Sequence, residues 1–425
     1  MIGSNRSDGG IFLLKENKTF RKLFIAYGLS TLGDWFDFIA VSILLGFVWQ
    51  ADPMTMAILP IAYAAPGIVL GQFAGVMADR VNKVKMMILM DVIQASLTLL
   101  LLAMPNPAWF LVVIALRSCA SVFNDPAQQT LTRQIVTPDQ LLKATSLNGA
   151  VYQMGKLIGP LLGGLVAAFF APAICLIINS GSYLLSTAFL LTIRRVEDNL
   201  PRPASKDRAL PLRQAWQEGW SFFLQNRVLL YSTLFGVAAM MSIQLADAQF
   251  PVIFREKVPH NPEMVGYSVS VIGLGALFTV TWLQRLKDIR SYGWVLGGGV
   301  FLIGIGFAAI GFYQPGDGMY WILVASLIAG IGTGLTSVGT NYLVQKETPP
   351  EALGRVRGII DSITSATFII APLMGGFLMT LLGPSTAFLW VGLLITGVGA
   401  GAILIQRLIW GKPRTSTTVV SKQAG

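Results

Sequence analysis

Pro160-Leu161-Leu162-Gly163-Gly164 returns 212 residues later as Pro372-Leu373-Met374-Gly375-Gly376. At the same offset Pro138-Asp139-Gln140-Leu141 corresponds to Pro350-Glu351-Ala352-Leu353. Two matches in one register, at half the length of a 425-residue chain, mark a duplicated unit. Working outward from them, apolar segments of bilayer-spanning length recur near 22–49, 54–78, 86–104, 108–130, 143–170, 172–193, 227–253, 264–284, 291–313, 318–342, 357–381 and 384–408. The breaks carry turn chemistry, as at Ala51-Asp52-Pro53, Pro105-Asn106-Pro107 and Gly383-Pro384. The expected fold is therefore an all-α integral membrane protein, with twelve transmembrane helices in two pseudo-symmetric six-helix bundles. In such a fold the repeats enclose a site near the midplane.

Composition agrees. Charged residues are 12% of the chain, about half the roughly 25% of a soluble domain. Hydrophobic residues are 54%, and mean hydropathy is +0.64. An ordinary soluble enzyme would lack the charge to cover its surface. The single histidine, His260, excludes a His-rich metal site, and the two cysteines, Cys119 and Cys175, exclude a disulfide scaffold. No cofactor is expected. Gly149 to Lys156 looks briefly like a nucleotide-binding loop, but five residues separate its glycines and Leu157 stands where Ser or Thr belongs. No nucleophile–base pair is visible, so an enzyme is not expected.

Lysine and arginine set the orientation. With the N-terminus inside, 27 of the 31 basic residues fall in inside segments and only Arg255 and Lys257 in outside loops. That asymmetry places both termini in the cytoplasm and the chain, multi-pass, in the cell membrane, the inner or plasma membrane if the source is bacterial. It also accounts for the net charge of +10 through topology and attraction to anionic lipid, with no nucleic-acid partner. The organisation is then a cytoplasmic segment 1–21, a bundle 22–193, a central loop 194–226, a bundle 227–410 and a cytoplasmic tail 411–425. Within the central loop, Trp216, Trp220, Phe223 and Leu224 share one helical face. Leu212–Gln225 reads as an amphipathic helix, either on the inner leaflet or packed on the bundle.

Charges inside the spans are the costly residues and by default the functional ones. At 1.5 Å per residue Asp34 lies roughly 18 Å into the first helix and Asp37 roughly 22 Å, three positions apart on one face. Arg117 reaches roughly 14 Å from the outside and Lys156 roughly 20 Å along the fifth helix. Two acids and two bases at one level suggest a buried network. A carboxylate that moves between a desolvated setting and a cation takes up and releases a proton. Asp34 is the first candidate for that carrier and Asp37 the second. The alternative is a static ion pair with Arg117 or Lys156 that holds helices together. Asp91, a turn and a half inside the third helix, reads as interfacial. Asp247, beside Gln244 and Gln249, reads as either a gate or plain interface, and Asp361 as a cap or motif A partner rather than a substrate ligand. Phe38 and Met240 suit a greasy, adaptable pocket or a lipid-facing surface. The glycines Gly330, Gly332, Gly334 and Gly339 read as close helix packing in preference to a flexible gate.

Two runs carry a family resemblance. Gly75-Val76-Met77-Ala78-Asp79-Arg80-Val81-Asn82-Lys83 resembles motif A of the major facilitator superfamily, with Met77, Asn82 and Lys83 in place of Leu, Gly and Arg. Gly155-Lys156-Leu157-Ile158-Gly159-Pro160-Leu161-Leu162-Gly163-Gly164 resembles motif C, associated with its proton antiporters. Arg117 resembles the membrane arginine of motif B, without the Gln and Gly that usually follow. The stretch from Arg117 to Ala127, with Glu218-Gly219-Trp220-Ser221-Phe222-Phe223, is similar to the macrolide-efflux and siderophore-export branch. The resemblance implies the major facilitator fold, a cavity lined by the first, fourth, seventh and tenth helices, and a cytoplasmic latch of Asp79, Lys83 and Asp125 beside Gly75 and Arg80. Substrate contacts then fall to Phe38, Met240, Gln244 and Asp247. The half-two counterpart of motif A, Gly275 to Arg290, keeps Arg285, Lys287 and Arg290 but has no acid at the position of Asp79.

The reading is a secondary transporter that exports a hydrophobic or amphipathic small molecule, such as a drug, macrolide or siderophore, in exchange for protons. Its partners are that substrate, protons and membrane lipids, and a monomer is expected. Alternatives are a lysophospholipid or lipid flippase of the same fold and a non-transporting membrane receptor or assembly protein. Asp79→Asn is expected to lower transport without lowering membrane insertion. Unchanged transport at normal protein levels would remove the latch.

Overall fold

The computed structural model describes residues 13–137, 140–197, 225, 227–283, 291–314, 316–348 and 350–410. Among the described residues, twelve helices are long and apolar enough to cross a membrane. The first six are Lys18–Val48, Pro53–Arg80, Lys83–Leu101, Pro107–Ile135, Leu141–Phe169 and Pro172–Leu191. The second six are Arg227–Asp247, Met264–Leu283, Gly293–Phe312, Tyr320–Glu347, Pro350–Leu382 and Pro384–Leu404. Each is referred to below as the first to twelfth span. The amphipathic helix expected at 212–225 lies outside the described residues apart from Gln225.

The turn chemistry of the sequence acts as capping chemistry. Asn17, Asp52, Asn82 and Asn106 each accept a hydrogen bond from the backbone N–H three residues on, at the start of the first four spans. Pro53 and Pro107 follow two of these caps, where a missing N–H costs nothing. A side-chain cap of this kind is worth about 1 kcal/mol.

The contacts divide the chain into two units. One holds the described residues of Met1–Lys206 together with Phe250–Ser270. The other holds those of Asp207–Gln249 and Val271–Gly425. The seventh span, expected to run to 253, stops at Asp247, and a separate short helix, Phe250–Lys257, follows. Pro251 explains the break: it has no N–H for the carbonyl four residues back, but it is tolerated in a new first turn. This short helix packs on the end of the first span. Pro251 lies against Gly46, where a Cβ would collide with it. Arg255 donates to Gly46 O at 2.7 Å and Ala51 O at 3.2 Å, a cation on carbonyls at a helix C-terminus. Partial burial lowers the pKa of this guanidinium from its usual range.

Close glycine contacts hold the spans of each unit together. In the N-terminal unit, Gly155, Gly159 and Gly163 form one face of the fifth span, four residues apart. A Cβ on Gly159 would stand 3.0 Å from the Trp35 carbonyl carbon and 3.1 Å from Phe36 N. On Gly163 it would strike the Phe36 carbonyl oxygen. The next residue, Gly164, faces the start of the eighth span, where a Cβ would lie 2.9 Å from Gly266 Cα. The motif C resemblance thus marks the face on which the fifth span meets the backbone of the first. In the C-terminal unit, Gly330 and Gly334 approach Ile272 and Ala276 of the eighth span, while Gly332 and Gly339 approach Gly299 and Leu296 of the ninth. The tenth-span glycines are packing residues, as the sequence reading held.

Gly159→Val is expected to cost about 1–3 kcal/mol through overpacking against the first span. Gly149→Ala, where nothing lies within 4 Å, should be neutral or stabilising. Thermal unfolding of the purified variants in detergent checks both. Equal stability of the two would show that the fifth span does not depend on its glycine face.

Candidate functional site

The first span is the spine of the site because it carries Asp34 and Asp37 into the interior of the N-terminal unit. Asp37 is fully buried, and Arg117 of the fourth span is 3% exposed. The two form an ion pair through Arg117 Nη1 and Asp37 Oδ2. Arg117 also donates to Tyr63 Oη at 3.1 Å and Thr98 Oγ1 at 3.3 Å. Its Cζ stands 5.7 Å from the Tyr63 ring centroid. Asn179 of the sixth span donates to Asp37 Oδ2 at 2.7 Å. Gly33 makes room for that amide, since a Cβ there would collide with Asn179 and Ser182. Five spans therefore supply one ion pair and its shell. Such a shell is what offsets the desolvation of two charges, several kcal/mol for each ion.

Asp34 is held differently. It is half-buried and accepts a hydrogen bond from the Tyr183 hydroxyl. It faces a polar cavity of about 50 Å³, room for a few waters. Asp91 of the third span lines the same cavity and is 2% exposed. Ser186 donates to it at 2.6 Å and Asn124 at 2.9 Å. Asp125, exposed and in the first turn of the helical segment Asn124–Ile135, completes three carboxylates on one cavity, with no lysine or arginine in its lining among the described residues. Chemically, the arrangement separates a fixed ion pair from carboxylates that face a space fit for water.

The profile of the Major Facilitator Superfamily matches residues 23–365 and 250–424. The chain belongs to the major facilitator superfamily. It is a multi-pass membrane transporter of that superfamily, and its relatives are transporters rather than enzymes. An uncharacterised transporter of Bacillus subtilis, YfiS, is 30% identical over 409 residues, covering 93% of this chain and 95% of its own. Macrolide efflux protein A of Streptococcus pyogenes is 23% identical over 350 residues, covering 81% of this chain and 85% of its own. Multidrug efflux pump Tap of Mycolicibacterium fortuitum is 23% identical over 385 residues, with 86% and 91% covered. Among solved structures, an inward-facing bacterial homologue of the human lysosomal transporter Spinster has a TM-score of 0.72 at 12% identity, covering 97% of this chain and 100% of that one. The nucleoside transporter NupG has a TM-score of 0.70 at 13% identity, with 92% and 98% covered. These likenesses show the major facilitator fold.

Of the four intramembrane charges expected to form one network in this transporter, the structure brings together Asp34, Asp37 and Arg117 in one unit. Lys156 stays out of it. Its side chain is exposed, with Nζ 5.9 Å from the Trp35 ring centroid. The glycine face of the fifth span turns toward the first span, and Lys156, one residue on from Gly155, points about 100° away from it. Phe38 packs on Tyr63 at 5.6 Å between centroids and on Trp35 at 6.2 Å.

Asp91 corrects the interfacial reading. Its hydrogen-bonding partners come from the fourth and sixth spans, which a window on the third span alone cannot show. Of motif A, Gly75 meets nothing within 4 Å among the described residues. Arg80 is exposed and Lys83 is 4% exposed, while the side chain of Asp79 lies outside the described residues. So do the side chain of Asp361 and the basic run 284–290. Pro160 sits inside the fifth span beside Gly159. Met240 and Gln244 are half-buried, and Asp247 is exposed, on the last two turns of the seventh span in the other unit.

Removing one partner of the buried pair, as in Asp37→Leu or Arg117→Met, is expected to destabilise by about 3–5 kcal/mol, and the double variant by less than either single one. A double-mutant cycle on thermal unfolding checks this. Additive losses would mean that the two charges do not support each other.

Proposed function

We propose that this transporter exports a hydrophobic or amphipathic small molecule across the cytoplasmic membrane in exchange for protons, with both termini in the cytoplasm. Three observations support the reading. The basic residues are biased 27 to 2 between the two sides. The macrolide efflux protein and the multidrug efflux pump match over most of their length. The observation that carries the proton step is the contrast between two carboxylates one helical turn apart.

Asp37 is locked to Arg117 by an ion pair with further hydrogen bonds, and neutralising it would strand a buried guanidinium. Asp34 makes its hydrogen bond with a neutral phenol and looks onto a polar cavity. A carboxylate can change protonation in the second setting without breaking an ion pair. Asp34 is therefore the proton carrier, and the Asp37–Arg117 pair holds the first, fourth and sixth spans in place around it. Met240, Gln244 and Asp247, spaced to share one face of the seventh span, are proposed to meet the substrate. The Met240 thioether adapts to varied apolar shapes, which fits a transporter of several compounds better than one built for a single polar solute. Protons, the exported compound and lipid are the partners. No nucleic acid and no second subunit are required.

The test is transport by reconstituted protein in liposomes with an imposed pH gradient, using a macrolide, a cationic dye, a siderophore and lysophospholipid as probes. Gradient-driven movement of a macrolide or dye is expected, with Asp34→Asn abolishing the effect of the gradient. Movement of lysophospholipid alone, indifferent to the gradient and to Asp34→Asn, would replace export with lipid flipping.

A further inference from the structure

The fifth span has two exposed faces of opposite character. Met154, Leu161 and Leu162 are exposed and apolar, a surface suited to lipid. On the other side Thr145, Gly149, Tyr152, Gln153 and Lys156, spaced three and four apart, form a second exposed strip. Met154 stands about 160° round the helix from Lys156. The strip runs from the first turns of the span, the end that the export reading puts in the cytoplasm, to Lys156 near the middle of its 29 residues. A lysine turned to lipid at that depth would cost about 2.5–3.5 kcal/mol. Charged groups within spans face the protein interior or a water-filled space instead. The polar strip is therefore a wetted surface inside the membrane.

Lys156 is the intramembrane charge that the ion pair and the carboxylate cavity leave unused. Among the described residues it makes no ion pair and no hydrogen bond, and its Nζ stands 5.9 Å from the Trp35 ring centroid. Asp34 and Asp37, on either side of Trp35 in the first span, are taken by Tyr183 and Arg117. Gln153, one turn before Lys156, also has no hydrogen bond among the described residues. Beside these two free donors lie two aromatic rings. Trp35 and Tyr152 meet edge to face, with centroids 5.8 Å apart, and Tyr152 is 46% exposed.

We propose that this strip is a binding subsite for an aryl carboxylate. The Lys156 ammonium pairs with the carboxylate, the Gln153 amide donates to its second oxygen, and the aromatic body lies against Trp35 and Tyr152. One lysine and one neutral donor match a single negative charge. A phosphate dianion would leave charge uncompensated, and an organic cation on the same rings would meet the lysine as a like charge. A charge-assisted contact in a partly desolvated setting is the strong kind of hydrogen bond. The inference rests on the export reading for the side from which the acid arrives, and it deepens that reading by naming one class of compound, aromatic acids, that the transporter takes up.

The experiment is equilibrium binding by isothermal titration calorimetry on the full-length protein in nanodiscs of neutral lipid, with empty nanodiscs subtracted. No gradient is imposed, so a failure of proton-driven export and a failure of this subsite are separate results. The probes are naproxen, an aryl carboxylate, and its uncharged methyl ester. Saturable binding of the acid is expected, with the ester roughly tenfold to a hundredfold weaker, as the loss of a hydrogen-bonded charge implies. Lys156→Met should weaken the acid by the same factor and remove its advantage over the ester, and Lys156→Arg should restore the advantage. Tyr152→Leu should weaken acid and ester alike, by about two- to tenfold, through the lost ring contact. Lys143→Met, the same change of charge at an exposed position of the same span, should alter neither. The proposal is overturned by absence of saturable naproxen binding, by equal affinity for acid and ester in the wild-type protein, or by an acid preference that survives Lys156→Met.

Discussion

A guanidinium inside a bilayer needs a partner, and the N-terminal unit is organised around giving Arg117 one. Asp37 supplies the charge, and Tyr63, Thr98 and Asn179 supply the hydrogen bonds. That pair fixes the first, second, third, fourth and sixth spans about one point. It also fixes the rotation of the first span, which decides that Asp34, three residues earlier, points into the polar cavity. The close approach of the fifth span follows from the same constraint. The adjoining face of the first span carries Thr31, Trp35 and the Phe36 backbone, and the glycines Gly155, Gly159 and Gly163 let the fifth span lie directly on them.

The fold was legible in the sequence because its causes are local and repeated. Twelve apolar runs, caps at Asp52 and Asn106, and prolines after them each act within a turn or two of where they stand. The duplicated Pro-Leu-x-Gly-Gly segments mark the same place in both halves. Where the sequence reading slipped, it met a single proline. Pro251 lies in an apolar stretch and so reads as a continuing span, whereas its missing N–H ends the seventh helix and starts another. Arg255, counted only as a loop charge, is tied to carbonyls at the end of the first span.

The site was legible only in part. Depth along a helix placed Asp34, Asp37 and Arg117 at one level, because rise per residue is a fixed quantity. Rotation is not fixed by depth, and Lys156 shows the difference: the right level, on the wrong face. Asp91 shows the converse. Its neighbours Asn124 and Ser186 are ordinary residues in the sequence, and they become its hydrogen-bond partners only when three spans are packed. The one signal that could have found them is polarity itself. Gln94, Asn124, Gln128 and Ser186 are uncharged polar side chains within spans, and such groups in a membrane must be satisfied by something.

Asp34 as proton carrier and Asp37 as fixed counter-ion is the claim from which the account of transport follows. The most direct measurement is proton release on substrate binding, by a pH-sensitive dye in weakly buffered detergent solution. A macrolide or cationic dye that supports transport would be the ligand. The account predicts release in the wild-type protein and none from Asp34→Asn that still binds the compound. Release of the same number of protons by Asp34→Asn would contradict it and move the coupling elsewhere in the chain.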